Sequence, residues 1–444
     1  MNAREVALKA LLRVDENEGY SNLVLDKALR SSELAPRDKA LTSALFYGTL
    51  ERRITLDAAL RPYLRNPKDK LNIAVKDILR MAAYQIYYMD RIPDSAAVNE
   101  AVFLTKEAGK EKAAGFVNGL LRNLLRQKEK TPFPPQQGSR LQQMSVRYSC
   151  PEWLIERWEK TYGTATVEAM LQDSFSRPPL YARVNTLKTS SDALIDALQE
   201  EGITAKKISW LPDALELTHT GSIAQNGCFQ KGLFHIQDLA SQLCCHLLGA
   251  QPGEHIYDVC AAPGGKTFTI AQLMRDTGEI HAFDQYRGKV GLIRKGADRL
   301  GICCVTAAMR DAVGDCTPLP PADRVLCDVP CSGYGILRRK PEIRYKSRET
   351  IDSLPDLQYR ILCKSAALVR QGGTLLYSTC TLNPMENGGN AGRFLREHLD
   401  FRGVSLCLSK GVLRTISEPD NQLTLFPQTN HTDGFFISVF RKEA

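Results

Sequence analysis

Asp258-Val259-Cys260-Ala261-Ala262-Pro263-Gly264-Gly265-Lys266-Thr267 decides the architecture of this chain. A short apolar run, 255–259, leads into it, and a helical pattern, 266–275, follows. Small residues directly after a strand let the backbone approach a ligand closely. The helix start beyond them offers free N–H groups. Open α/β sheets bind cofactors at this place. The downstream chain repeats the motif: strands are predicted over 280–283, 304–307, 325–327 and 374–378, with helices over 288–300 and 356–369 between them. That alternation predicts a parallel sheet covered by helices on both faces. A last apolar run, Phe435-Phe436-Ile437-Ser438-Val439-Phe440, follows a turn at Asp433-Gly434 with no crossover helix. It is expected antiparallel, at or near the sheet edge.

Two nucleotide chemistries compete for the loop. Gly265-Lys266-Thr267 fits the end of a Walker A loop, but its first glycine position is Cys260, and Pro263 removes an N–H from a cradle built of N–H groups. Adenosylmethionine fits better. The next strand ends in Asp284, whose carboxylate can accept hydrogen bonds from both ribose hydroxyls. Asp311 follows the third strand and Asp328 the fourth. One such acid is commonly a turn or cap residue. Recurrence along one sheet edge points to a cofactor site spanning Cys260, Ala261, Ala262, Pro263, Gly264, Gly265, Lys266, Asp284, Asp311 and Asp328.

Two cysteines end strands on that edge, in Asp328-Val329-Pro330-Cys331-Ser332-Gly333 and Tyr377-Ser378-Thr379-Cys380-Thr381. A cysteine is ordinarily a small buried hydrophobe. Beside a methyl donor, thiolate addition to carbon-6 of a pyrimidine would make carbon-5 nucleophilic, splitting one hard step into easier ones. Asp328 is placed to stabilise the ring's N3 edge, and Lys266 to orient Asp328. Pro330 and Tyr334 are expected to line the base pocket, and Arg338-Arg339-Lys340 to grip phosphates. Spacing alone does not choose the nucleophile between Cys331 and Cys380.

Upstream, residues 1–130 read as helices throughout: 6–14, a long pattern opened by Pro36, 72–88 and 96–125. A helical bundle is the simplest packing. The stretch 131–139, TPFPPQQGS, reads as a linker. Residues 140–235 read as a small α+β module, with helices over 152–162, 165–173 and 190–201 and a strand over 180–185. The remainder, 236–444, is the α/β domain.

The 444 residues suit two or three domains. An apolar content of 43% with 24% charged residues suits a soluble globular protein, and no apolar run reaches the roughly 18 residues of a membrane span. With no signal-peptide pattern, a cytoplasmic location is expected. The 13 cysteines, odd in number and without a CxxC, argue against a disulfide framework and a zinc knuckle, so no metal is expected. Residues 1–140 hold 24 Lys and Arg against 17 Asp and Glu, or +7, while the remainder holds 34 against 33, or +1. A basic N-terminal part on a neutral body suggests a polyanion partner.

At these residues the chain resembles the RNA cytosine-carbon-5 methyltransferases, the Nol1/Nop2/Sun family. The matching words are CAAPGGKT at 260–267, DVPCSG at 328–333, ILRRKPE at 336–342, YSTC at 377–380 and DGFFI at 433–437, with QDLASQ at 237–242 similar to the family's entry motif. The resemblance implies adenosylmethionine as cofactor, Cys380 as the nucleophile and Cys331 as the residue that assists product release. The N-terminal helices resemble the NusB fold, through residues 4–12 and Tyr47-Gly48-Thr49-Leu50. That order of parts is similar to the RsmB-type branch of the family, implying an N-terminal RNA-binding domain, a small RNA-contacting subdomain at 140–235, and 5-methylcytosine formation in small-subunit (16S) ribosomal RNA; a monomer is expected. One departure is Gly388, where the family usually carries a second acidic residue. Transfer RNA remains an alternative substrate, and a non-catalytic RNA-binding, antitermination-like factor an alternative of another class; a nucleotide hydrolase is a third.

Overall fold

The computed structural model describes residues 2–17, 19–64, 66, 70–136, 138–314 and 317–444. Gln137 of the expected linker lies outside the described residues. The chain forms two compact units, one of residues 1–176 with 337–346, the other of residues 177–336 with 347–444. The expected classes are all present: an N-terminal helical part, a small sheet and a C-terminal α/β sheet. No described helix is long and apolar enough to cross a membrane.

The first unit is helical. Seven helices, Ala3–Asn17, Ser21–Arg30, Pro36–Glu51, Arg53–Leu60, Ile73–Tyr88, Asp94–Glu107 and Glu111–Gln127, surround one apolar core that includes Leu11, Phe46, Ile78 and Leu121. The pattern over 96–125 is two helices rather than one, because Gly109 takes φ +67° between them. Three more helices, Arg140–Tyr148, Glu152–Tyr162 and Thr164–Asp173, belong to this unit. A capping box starts the first of them, with Ser139 and Gln142 satisfying each other's backbone N–H groups.

Residues 337–346 join this unit through buried Leu337 and Ile343 and through charged and hydrogen-bonding side chains. Arg344, 1% exposed, donates to the carbonyls of Glu51 (3.4 Å) and Tyr148 (3.2 Å) and to Ser174 Oγ (3.4 Å). Arg338 is ion-paired with Asp173 at 3.2 Å with its side chain 5% exposed. Lys340 lies 3.7 Å from the Tyr20 ring. This corrects the phosphate-gripping expectation for Arg338: a buried guanidinium committed to a carboxylate is not offered to a polyanion.

The second unit holds two sheets. Strands β1 (Leu180–Val184), β2 (Thr204–Lys207), β3 (Ala214–Thr218) and β4 (Phe234–Ile236) form an antiparallel sheet in the order β2-β3-β1-β4. The larger sheet contains β5 (His255–Asp258), β6 (Glu279–Asp284), β7 (Val305–Met309), β8 (Ala322–Asp328), β9 (Val369–Thr379), β10 (Phe401–Gly403), β11 (Gln422–Leu425) and β12 (Phe435–Lys442). Its order is β10-β12-β9-β8-β5-β6-β7, with β11 also paired to β12. Strands β5 to β9 are parallel, and β12 runs antiparallel to β9. The last strand is thus near the edge, as expected, with β10 outside it.

Alternate residues along each strand feed two cores on opposite faces. Ile256, Ala282 and Leu376 join one, while Tyr257, Phe283, Leu375 and Tyr377 join the other. Strand order reverses between β5 and β8, so their carboxyl ends, Asp258 and Asp328, flank the crevice where such sheets take ligands.

Candidate active site

The loop after β5 turns through Cys260 to Gly264 into the helix Gly265–Leu273. Gly264 has φ +110°, and a Cβ there would overlap the Phe268 ring, so the turn demands glycine. Ala261 N–H donates to the carbonyl of Phe283 (2.8 Å), tying the loop to β6. Asp284 at the end of β6 accepts from Tyr286 N–H (2.9 Å), with Lys289 at 3.7 Å. Asp311, after β7, accepts from Val313 N–H (2.9 Å). Both acids therefore brace their own turns on the cofactor edge.

Asp328 and Cys331 follow β8, and Cys380 follows β9. The two sulfurs lie 3.2 Å apart. Asp328 accepts from Lys266 Nζ (2.7 Å) and from Ser378 Oγ (2.7 Å), so both of its oxygens are oriented. Burial works against the Lys266 ammonium, but the Asp328 carboxylate outweighs it and raises its pKa. The thiol pair is asymmetric. Either sulfur can donate to the other; their contact pushes Cys331 well up and, against burial, draws Cys380 below the ordinary thiol value, with Lys266 also lowering Cys380.

Several supporting residues escaped the sequence reading. Glu386, fully buried, accepts from Ser332 N–H (2.9 Å), Gln358 Nε2 (2.6 Å) and Asn383 Nδ2 (2.7 Å). Gln358 also donates to the carbonyl of Pro330 (2.9 Å). One carboxylate thus fixes the backbone on both sides of Cys331. It lies two residues before Gly388, in the segment noted for its departure from the family pattern. Gly335 and Gly434 meet backbone to backbone: Gly434 N–H donates to Gly335 O (2.8 Å), Gly335 N–H to Cys380 O (3.1 Å), and a Cβ on either would collide with the other residue. That contact explains the glycine of the DGFFI word. Pro330 is exposed, but Tyr334 is buried, which corrects its place in an open pocket.

Asp258 was read only as a strand end. It is 1% exposed, accepts from Thr267 Oγ1 (2.7 Å), and burial pushes its carboxyl up to about 7. Between about pH 4 and 7 the unfolded carboxyl has lost its proton while the folded one keeps it, so this residue's contribution to stability falls as pH rises through that window. Asp258→Asn should therefore gain stability relative to the native protein from pH 4 to 7 and hold a constant difference above. Urea unfolding across pH measures this; parallel curves would refute it.

Among the described residues, His255, Glu279 and His281 place metal-ligand atoms within 4.8 Å of one another. They sit at the amino ends of β5 and on β6, and take no part in this site.

Comparison with known proteins matches this architecture part by part. The family model described as 16S rRNA methyltransferase RsmB/F matches residues 245–441, the NusB family model residues 1–126, and the RsmF/B-like ferredoxin-like domain model residues 150–224. The probable ribosomal RNA small subunit methyltransferase B of Bacillus subtilis is 38% identical, over 100% of this chain and 99% of that protein. The solved structure of PH0851 superposes with a TM-score of 0.82 at 25% identity, covering 99% of each chain. NSun6 from Pyrococcus horikoshii, solved with SFG, gives a TM-score of 0.60 at 23% identity, over 66% of this chain and 98% of that one. Matched over its whole length at 38% and 37% identity by two such proteins, the chain belongs to the ribosomal RNA small subunit methyltransferase B family.

Proposed function

We infer that this protein methylates carbon-5 of a cytosine in small-subunit ribosomal RNA, using adenosylmethionine and a transient bond from Cys380 to the base. The observation that carries the reading is the pair of sulfurs 3.2 Å apart beside the Asp328–Lys266 ion pair.

The residues present fit the cofactor. Gly264 and Gly265 leave the end of the β5 loop and the helix start without side chains, and Asp284 ends the next strand on the same edge. NSun6, with the same fold, was solved with SFG, an adenosylmethionine analogue. Bound there, adenosylmethionine supplies an electrophilic methyl group.

The protein's own side chains do the rest. Cys380 thiolate adds to carbon-6, and the 5,6 double bond's electrons become available at carbon-5. N3 takes up one proton from solvent as sulfur adds and returns it when sulfur leaves; Asp328 accepts the hydrogen bond from N3–H while positive charge develops on the ring as carbon-5 takes the methyl group, and Lys266 and Ser378 keep it aimed. Once carbon-5 has taken the methyl group, its proton leaves to a base and the electron pair of that C–H bond restores the double bond. The Cys380–carbon-6 bond breaks, and sulfur departs with its electrons. Cys331, whose sulfur lies 3.2 Å from that of Cys380, donates to it as it leaves.

Unmodified small-subunit ribosomal RNA carrying tritium at cytosine carbon-5 tests the reading. Incubation with protein and adenosylmethionine should release tritium to water in step with 5-methylcytosine. Methylation with the tritium retained would place the methyl group elsewhere and overturn it.

A further inference from the structure

The first unit carries a cleft at the side of its helical core that the reaction does not use. It is about 360 Å³, opens to solvent, and is walled by Arg52, Tyr87, Tyr88, Phe133, Arg147 and Phe175. The walls come from separate elements. Tyr87 and Tyr88 end the helix Ile73–Tyr88, Arg52 sits between two helices, Phe133 follows the helix Glu111–Gln127, and Arg147 is near the end of Arg140–Tyr148.

Its geometry is that of a stacking platform. Tyr87 and Phe133 lie parallel, with ring centroids 3.8 Å apart and 5° between planes. Tyr88 meets Phe133 edge-on at 5.4 Å. The Arg52 guanidinium lies 3.5 Å over the Phe175 ring and 4.9 Å from Tyr88. Arg147 is 66% exposed, with Glu168 at 3.7 Å. No carboxylate belongs to the lining itself.

We propose that this cleft binds one unpaired nucleotide of the substrate RNA, its base against the aromatic rings and its phosphate on the arginines. The inference rests on the proposed RNA substrate. Charge selects this occupant: an apolar peptide would need no guanidinium groups, and the first 140 residues carry a net +7. Every base offers a π face, so aromatic rings beside planar cations hold single-stranded RNA with little sequence preference. The cleft is thus a second foothold for the RNA, besides the cysteine site.

The test uses the full-length protein and unmodified small-subunit ribosomal RNA containing 4-thiouridine. Irradiation should crosslink RNA to peptides bearing residues 84–88 or 133–135. Phe133→Ala and Arg147→Ala should each raise KM for RNA by roughly tenfold with kcat within about twofold, and Phe133→Trp should keep the native KM. Unchanged thermal melting would show the variants fold. Unchanged KM and no crosslink in the cleft, with methyl transfer intact, would overturn the proposal. So would a loss confined to self-association or to binding another protein. Absence of methyl transfer by the native protein would instead fault the proposed function.

Discussion

Replacing Cys380 by alanine should abolish methyl transfer, with a loss on the order of 10⁴-fold or more, because no other group supplies the carbon–sulfur bond. Cys331→Ala should behave differently. It keeps the nucleophile and removes the thiol that assists its departure, so a covalent RNA–protein adduct should accumulate and survive denaturing electrophoresis. Cys380→Ala should form no adduct. The opposite pattern would exchange the two roles. The hydrogen bond between the sulfurs adds a second readout. Since Cys331 draws the Cys380 thiol below its ordinary value, its removal should move Cys380 alkylation by iodoacetamide to higher pH. An unshifted alkylation profile would show that the 3.2 Å contact does not tune the nucleophile.

Asp328→Ala should have the next largest effect, on both rate and stability. Lys266 and Asp328 are 14% and 25% exposed, so deleting the carboxylate leaves an ammonium largely out of water without its partner. Breaking such a pair costs about 3–5 kcal/mol, and losing a group that stabilises the ring's developing charge costs about 10²–10⁴-fold in kcat. The two effects separate in a double variant. Asp328→Asn with Lys266→Met removes both charges and should recover most of the stability while leaving activity low. Thermal melting with single-turnover kinetics measures both. Native kcat in a well-folded Asp328→Ala would remove Asp328 from the reaction.

Glu386 shows why part of this site was hidden in the sequence. Its oxygens accept from the Cys331 loop, from Gln358 and from Asn383, and the first of these lies 54 residues away. No local spacing encodes that convergence. Tyr334 and Arg338 failed for the same reason: a polar side chain near the chemistry in sequence was assumed to face it. Tyr334 is instead buried, and the Arg338 side chain is packed against Asp173 in the helical unit.

The amino-acid order alone determined the elements whose signal is periodic. Long helices, buried parallel strands and the bare turn at 260–265 are set by side chains within one segment, since burial of a face imposes a 3.6- or 2-residue repeat. Short strands such as Thr204–Lys207, Phe401–Gly403 and Gln422–Leu425 carry no such repeat and exist only through the partners they pair with. The asymmetry between the two thiols belongs to that second class. Each thiol's proton affinity depends on the other sulfur, and that of Cys380 also on Lys266, groups from two loops and a helix start brought together by the order of strands in the sheet.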